Sequence, residues 1–161
     1  MTIDEVRANG RRKAFEVRTG GECFVFPYAR LEVRPGADDP VVGAWPDEEA
    51  GREAFTYRLR SGKEDTVHLD AVLDFNQDPG YLNGLLLHRL TAEALRALEE
   101  GGLSKRELAR RLGTSASQLA RLLDPANTAK SLGQMLALLR VLGREVDFVV
   151  RPRRAARDVA V

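Results

Sequence analysis

The second half of this chain is punctuated by serines that are followed three residues later by Glu or Gln. Ser104 with Glu107, Ser115 with Gln118 and Ser131 with Gln134 all have this spacing. It is the spacing of a capping box, in which two side chains satisfy backbone N–H groups that the start of a helix leaves open. The first two pairs constrain the fold most, because Gly113 lies between them in the stretch LSKRELARRLGTSASQLARLLDPANTAK, Leu103 to Lys130. Leu108, Ala109 and Leu112 share a face of the first helix, and Leu119 and Leu122 give the second a buried side. Gly113 ends the first helix, since the turn needs a backbone that accepts positive φ. Ala109 is small, which lets two helices cross steeply where their axes come closest.

Two short helices joined by a tight glycine turn are the arrangement that brings a helix to the major groove of DNA. The segment resembles the helix-turn-helix of the Cro/C1-type (XRE) family of DNA-binding regulators. That family has Ala in its first helix, Gly four residues later and an aliphatic residue six further on, and Ala109, Gly113 and Leu119 fit the spacing. The resemblance covers residues 81–151 and does not reach the N-terminal half. It implies base-reading positions at Ala116, Ser117 and Arg121, with Gln118 nearby. Arg121 suits guanine O6 and N7, and Gln118 suits adenine. Ala116 departs from the family, which often has a long amide there. The resemblance also implies phosphate contacts from Lys105 and from the loop that holds Thr128 and Lys130. Ser104 and Ser115 can aim hydroxyls and helix N-terminal N–H groups at the same backbone. Arg106, Arg110 and Arg111 are weaker candidates, because each has an alternative as a solvated charge.

Charge supports the same division. Residues 1–80 contain 11 Lys/Arg against 16 Asp/Glu, a net of −5, whereas residues 81–161 contain 14 against 8, a net of +6. The helix-turn-helix therefore sits in a basic half, as phosphate binding requires. Cys23 is the single cysteine, which rules out an internal disulfide and suits a reducing cytoplasm. The start lacks an apolar signal-peptide core, and no window approaches a membrane span. A cytoplasmic chain is expected.

The N-terminal half reads as β. Phe15 and Val17 alternate with charged neighbours, Thr19-Gly20-Gly21-Glu22 turns the chain, and Cys23 to Phe26 continue the pattern. Val41 to Trp45, the alternating Phe55, Tyr57 and Leu59, and Thr66 to Leu69 add further strands, giving four to six in a small antiparallel sheet. Asp70 is expected to cap a short helix through Phe75, and Asp78 before Pro79 to open a long one from Tyr81 to Glu100. Leu82, Leu85, Leu86, Leu90, Ala94, Leu95 and Leu98 form its apolar face, with a break near Thr91. The third capping box starts a last helix, and Glu145 to Arg151 alternates as a strand. The domains are then 1–78, β-rich; 79–151, helix-turn-helix; and 152–161, a basic tail with a chance of phosphate contact.

Other chemistry finds little support. His88 has a helix role, and His68 beside Asp70 lacks a nucleophile in motif context. Cys23 reads as a small packed residue, and Asp47, Glu48, Glu49 and Glu53 as a solvated turn. No metal site, cofactor or enzyme is expected. The expected fold is α+β: a small antiparallel β-rich domain, then a helical Cro/C1-like domain ending in a strand. The expected function is a sequence-specific regulator that binds double-stranded DNA as a homodimer, through the 145–151 strand or the N-terminal sheet. Three alternatives stand beside it. The chain also resembles antitoxins of toxin–antitoxin pairs, through Leu142, Gly143 and Val146, with the acidic N-terminal domain covering a protein toxin. It could instead be a protein-interaction module whose helix-turn-helix no longer binds DNA. In a third, the β domain senses a small ligand.

Overall fold

The alternation of the first half is realised as two sheets, each of three antiparallel strands. The computed structural model describes residues 1–153. Strands β1 (Ile3–Asn9), β2 (Ala14–Thr19) and β3 (Glu22–Pro27) form the first sheet, and β4 (Val41–Pro46), β5 (Ala54–Leu59) and β6 (Glu64–His68) the second. Five α-helices follow: α1 (Leu69–Asn76), α2 (Pro79–Gly101), α3 (Lys105–Leu112), α4 (Ala116–Leu123) and α5 (Leu132–Val141). The fold is α+β, with six strands in two sheets instead of the single sheet expected. By packing, residues Met1–Tyr81, with Pro152 and Arg153, form one compact unit and Leu82–Arg151 a second.

In the first unit, a two-residue turn joins β2 to β3. Gly20 (φ 57°) and Gly21 (φ 82°) both lie in the left-handed region, which is what a hairpin matching the twist of its strands demands. The two sheets share one core. Phe15 of β2 meets Phe55 and Tyr57 of β5, with ring centroids 4.9 and 5.1 Å apart, and Tyr28 closes on it edge-on at 5.0 Å. Arg52 also joins the sheets: its backbone carbonyl accepts from Ile3 N–H (2.8 Å), and its guanidinium donates to the Ile3 and Asp4 carbonyls (3.0 and 2.9 Å). Helix α1 covers β3, where Asn76 donates to the Val25 carbonyl at 3.0 Å. Its N-cap is His68, which makes no side-chain cap, and the expected capping residue Asp70 lies inside the first turn.

Asp78 opens α2 as its sequence implies, accepting from Tyr81 N–H at 2.8 Å, and Gly101 ends it. The buried row is rotated from the expected one. Leu87, Thr91, Ala94 and Ala97 face inward, while Leu86 is 45% exposed. The helix does not break at Thr91, because the threonine hydroxyl donates to the Leu87 carbonyl at 2.6 Å and so fits a helical interior. The strand expected at 145–151 is absent. Val146 packs against the core of the second unit, but Phe148, Val149 and Val150 are exposed and the backbone there has no regular structure. The physical reason is that all six strands of the described residues lie in the first unit, so this segment has no partner strand in its own unit. Residues 154–161, most of the expected basic tail, lie outside the described residues. Among the described residues no helix is long and apolar enough to cross a membrane.

Phe15 touches three aromatic rings at the junction of the sheets, so its removal leaves a cavity that strands cannot collapse into. Phe15→Ala is expected to cost about 3–5 kcal/mol, measured by denaturant unfolding of the full chain.

Candidate nucleic-acid interface

Helices α3 and α4 begin as the serine spacing predicts. Ser104 accepts from Glu107 N–H at 3.1 Å and Ser115 from Gln118 N–H at 3.2 Å. Neither box is reciprocal. Only Ser131 and Gln134 make both bonds, at 3.1 and 2.8 Å. Between the two helices, Gly113 (φ 68°, ψ 34°) is the left-handed C-cap, and its N–H donates to the Arg110 carbonyl at 3.1 Å. Leu108 and Leu119 are wholly buried between α2, α3, α4 and α5, and Ala109 lies at the contact.

This scaffold leaves one side of α4 exposed. Ser115, Ala116, Ser117, Gln118 and Arg121 are all solvent-facing. The Ser115 and Ser117 hydroxyls lie 3.1 Å apart. Among the described residues, the Gln118 amide and the Arg121 guanidinium have no protein partner. The competing use of Gln118, bonding back to the Ser115 backbone, is not made. Arg121 is held in place through its backbone instead: its carbonyl accepts from the Asn127 amide at 3.0 Å. Lys105, at the first position of α3, and Thr128, in the loop after α4, are also exposed.

The neighbouring arginines differ. Glu107 receives Arg110 at 2.9 and 2.5 Å and Arg111 at 3.1 Å. Bonds from Arg110 first, then Arg111, hold its carboxyl well below the usual range, at about 2. The three side chains together thus present one net positive charge, which explains why a simple count of arginines overstates the cations free on α3.

Lys130 is not a surface cation. It is 6% exposed, and its Nζ donates to Thr91 Oγ1 (2.6 Å), the Leu122 carbonyl (2.8 Å) and the Asp124 carbonyl (2.8 Å). Contrary to expectation, its ammonium is not placed to contact phosphate. Burial pulls its pKa below the ordinary lysine value, opposed by the charge of Asp124. Three acceptors for three ammonium protons is nevertheless the arrangement of the charged form, and it closes the C-terminal end of α4, where a cation also complements the helix dipole. Sequence reasoning missed this bond because a lysine in a polar loop looks exposed. The available signal was Thr91, a polar residue in register with Leu87 and Ala94.

Beside the exposed face lies a concavity of about 740 Å³ lined by Leu95, Ala109, Leu119 and Leu123 together with Lys105, Arg106, Arg110 and Asp124. No sequence pattern signals it, because its apolar members belong to three different helices. Comparison with protein-family models, curated proteins and solved structures finds no match to this chain.

Two measurements check this arrangement. Lys130→Met keeps the stem and removes the ammonium, stranding two carbonyls, and is expected to lower stability by about 2–3 kcal/mol in denaturant melts. The second concerns Glu107. A carboxylate with a depressed pKa contributes stability that is complete above its unfolded value, near 4.5, and is lost as pH falls toward about 2. Carbon-detected NMR of the Glu107 carboxyl is expected to titrate near 2, and to move up toward 4.5 when Arg110 and Arg111 are both changed to Gln.

Proposed function

We propose that this chain is a sequence-specific DNA-binding regulator, with α3, Gly113 and α4 as a helix-turn-helix and α4 as the helix that reads bases. The observation that carries the reading is the pair of unpartnered groups, Gln118 and Arg121, on the exposed side of a capped and well-packed helix. Exposed polar groups of this kind match base edges in the major groove: a guanidinium to guanine O6 and N7, an amide to adenine N6 and N7. Ser117 and Ala116 complete the base-facing set. Ser104, Lys105, Ser115 and Thr128 form the phosphate set, in a half of the chain whose net charge is +6. A single module of this size binds weakly, so two copies on a two-fold site are the working form. The segment 145–151 suits that pairing. An antiparallel two-fold at Phe148 sets Glu145 against Arg151 of the second copy and Val146 against Val150, joining opposite charges and apolar side chains.

A second reading has its own support. The concavity beside α4 is lined by apolar side chains with Lys105 and Arg106 unpaired among the described residues, Arg110 tied to Glu107 and Asp124 as its one acid, and Ala116 offers no polar group to a base. These features favour a module that grips an acidic protein segment.

The deciding experiment is binding of the full chain to the DNA upstream of its own coding sequence, against a scrambled duplex and across a salt series. The native duplex is expected to be preferred, and Arg121→Ala to erase about 10–100-fold of that preference. Lys105→Ala is expected to weaken both duplexes alike and reduce the salt slope by about one. No binding to either duplex at low salt would overturn the regulator reading in favour of the protein-binding one.

A further inference from the structure

A cavity of about 530 Å³ opens in the N-terminal unit between the β1–β2 connection, the turn after β3 and the loop that leads to β4. Its volume falls in the range of small-molecule sites. Lys13, Arg34 and Tyr28 line it, and the other lining residues are glycine, alanine, proline and valine. No carboxylate lines it, although the first 80 residues carry a net charge of −5. Lys13 and Arg34 are both solvent-exposed at the rim, and among the described residues neither is ion-paired.

The hydrogen-bonding groups at the cavity are open. Arg34 uses only its Nε, which donates to the Leu31 carbonyl at 3.2 Å. Among the described residues the Lys13 ammonium and the Tyr28 hydroxyl have no partner. Burial raises the Tyr28 pKa above the ordinary phenol value, so this hydroxyl remains a proton donor at neutral pH. Lys13 is also held in an uncommon backbone state, φ 49°, and its carbonyl accepts from Tyr28 N–H at 2.8 Å. A β-rich turn could relieve that strain with glycine; this one keeps a lysine there.

The walls are fixed before any ligand arrives. Val33 in the loop accepts from the Tyr57 hydroxyl at 2.5 Å, and Asp39 accepts from Ser61 N–H and Oγ, both at 2.7 Å. Gly36 and Asp39 exchange backbone bonds of 3.2 Å, and Pro40 accepts from Arg60 N–H at 2.9 Å. Preformed walls reduce the ordering that binding would otherwise require.

We infer that this cavity is a binding site for a small organic carboxylate with a flat apolar body, its carboxylate between Lys13 and Arg34 and its body against Tyr28 and the proline and alanine walls. A compact inorganic anion would satisfy the cations but leave those apolar walls unfilled. The inference concerns the N-terminal unit alone and holds whether or not α4 reads DNA.

Benzoate is the probe, with benzamide as its uncharged counterpart and inorganic phosphate as the compact anion. Each is titrated into the full-length chain while backbone amide signals are followed by NMR. Benzoate is expected to give saturable shifts centred on Tyr28, Ala29, Gly36 and Ala37, with an affinity on the order of millimolar, as befits a fragment. Benzamide and phosphate are expected to give weaker ones. Lys13→Gly is the informative variant, because glycine accepts the φ of 49° and the fold is retained or stabilised while the ammonium is lost. It is expected to weaken benzoate about tenfold, and Arg34→Met to do the same. Absence of saturable shifts at these amides, equal binding of benzamide or phosphate, or unchanged affinity in Lys13→Gly would each overturn the inference.

Discussion

A buried ammonium organises the C-terminal unit. Lys130 lies just ahead of α5, donates to Thr91 in the middle of α2, and closes the last carbonyls of α4. Three helices are thus fixed by one cation, at a depth where an unpaired charge would be costly and a fully paired one is specific. The consequences reach the surface. The end of α4 is held from inside, so Asn127 can secure the Arg121 carbonyl from outside, and the exposed side of α4 is presented on a helix of only eight residues. Isolated helices of that length do not persist in water; this one exists because both its ends and its inner face are occupied.

The N-terminal unit reaches rigidity by another route. Its core is aromatic, with Phe15 surrounded by Tyr28, Phe55 and Tyr57, and its sheets are joined by the backbone and guanidinium of Arg52. Tyr57 is buried, yet its hydroxyl is spent on the loop carbonyl of Val33. Burial, then the nearby charge of Asp65, raises its pKa, which keeps the bond's proton in place. The same contact that satisfies a buried phenol thereby holds one wall of the cavity.

Local signals carried far. Helix starts at Ser104, Ser115 and Ser131, the turn at Gly113, the Gly20-Gly21 hairpin and the alternation of Phe55, Tyr57 and Leu59 depend on neighbours within a few residues, and each was legible. What needed partners distant in sequence was not. The 145–151 segment has the period of a strand, but period does not supply a second strand to pair with. The inward row of α2 was misplaced because leucines surround that helix on several sides, so the pattern left its rotation open, and the position that decides it, Thr91, is polar. Lys130 resembles a surface cation in the sequence because its three acceptors lie 39, 8 and 6 residues away. The division of six strands into two sheets is likewise a matter of which strands meet, and alternation in single strands is silent on that.

The exposed strip after α5 has a consequence of a different kind. Phe148, Val149 and Val150 stand in solvent on backbone without regular structure, with Val150 93% exposed. Exposed apolar side chains outside any sheet form a surface that other molecules can cover. Contacts of that sort depend on encounters, and encounters between copies rise with the square of abundance. The alternating acids Glu145 and Asp147 temper the strip without removing it. The amount of this protein in a cell is thus itself a structural variable, one that the fold leaves to be set by synthesis and degradation.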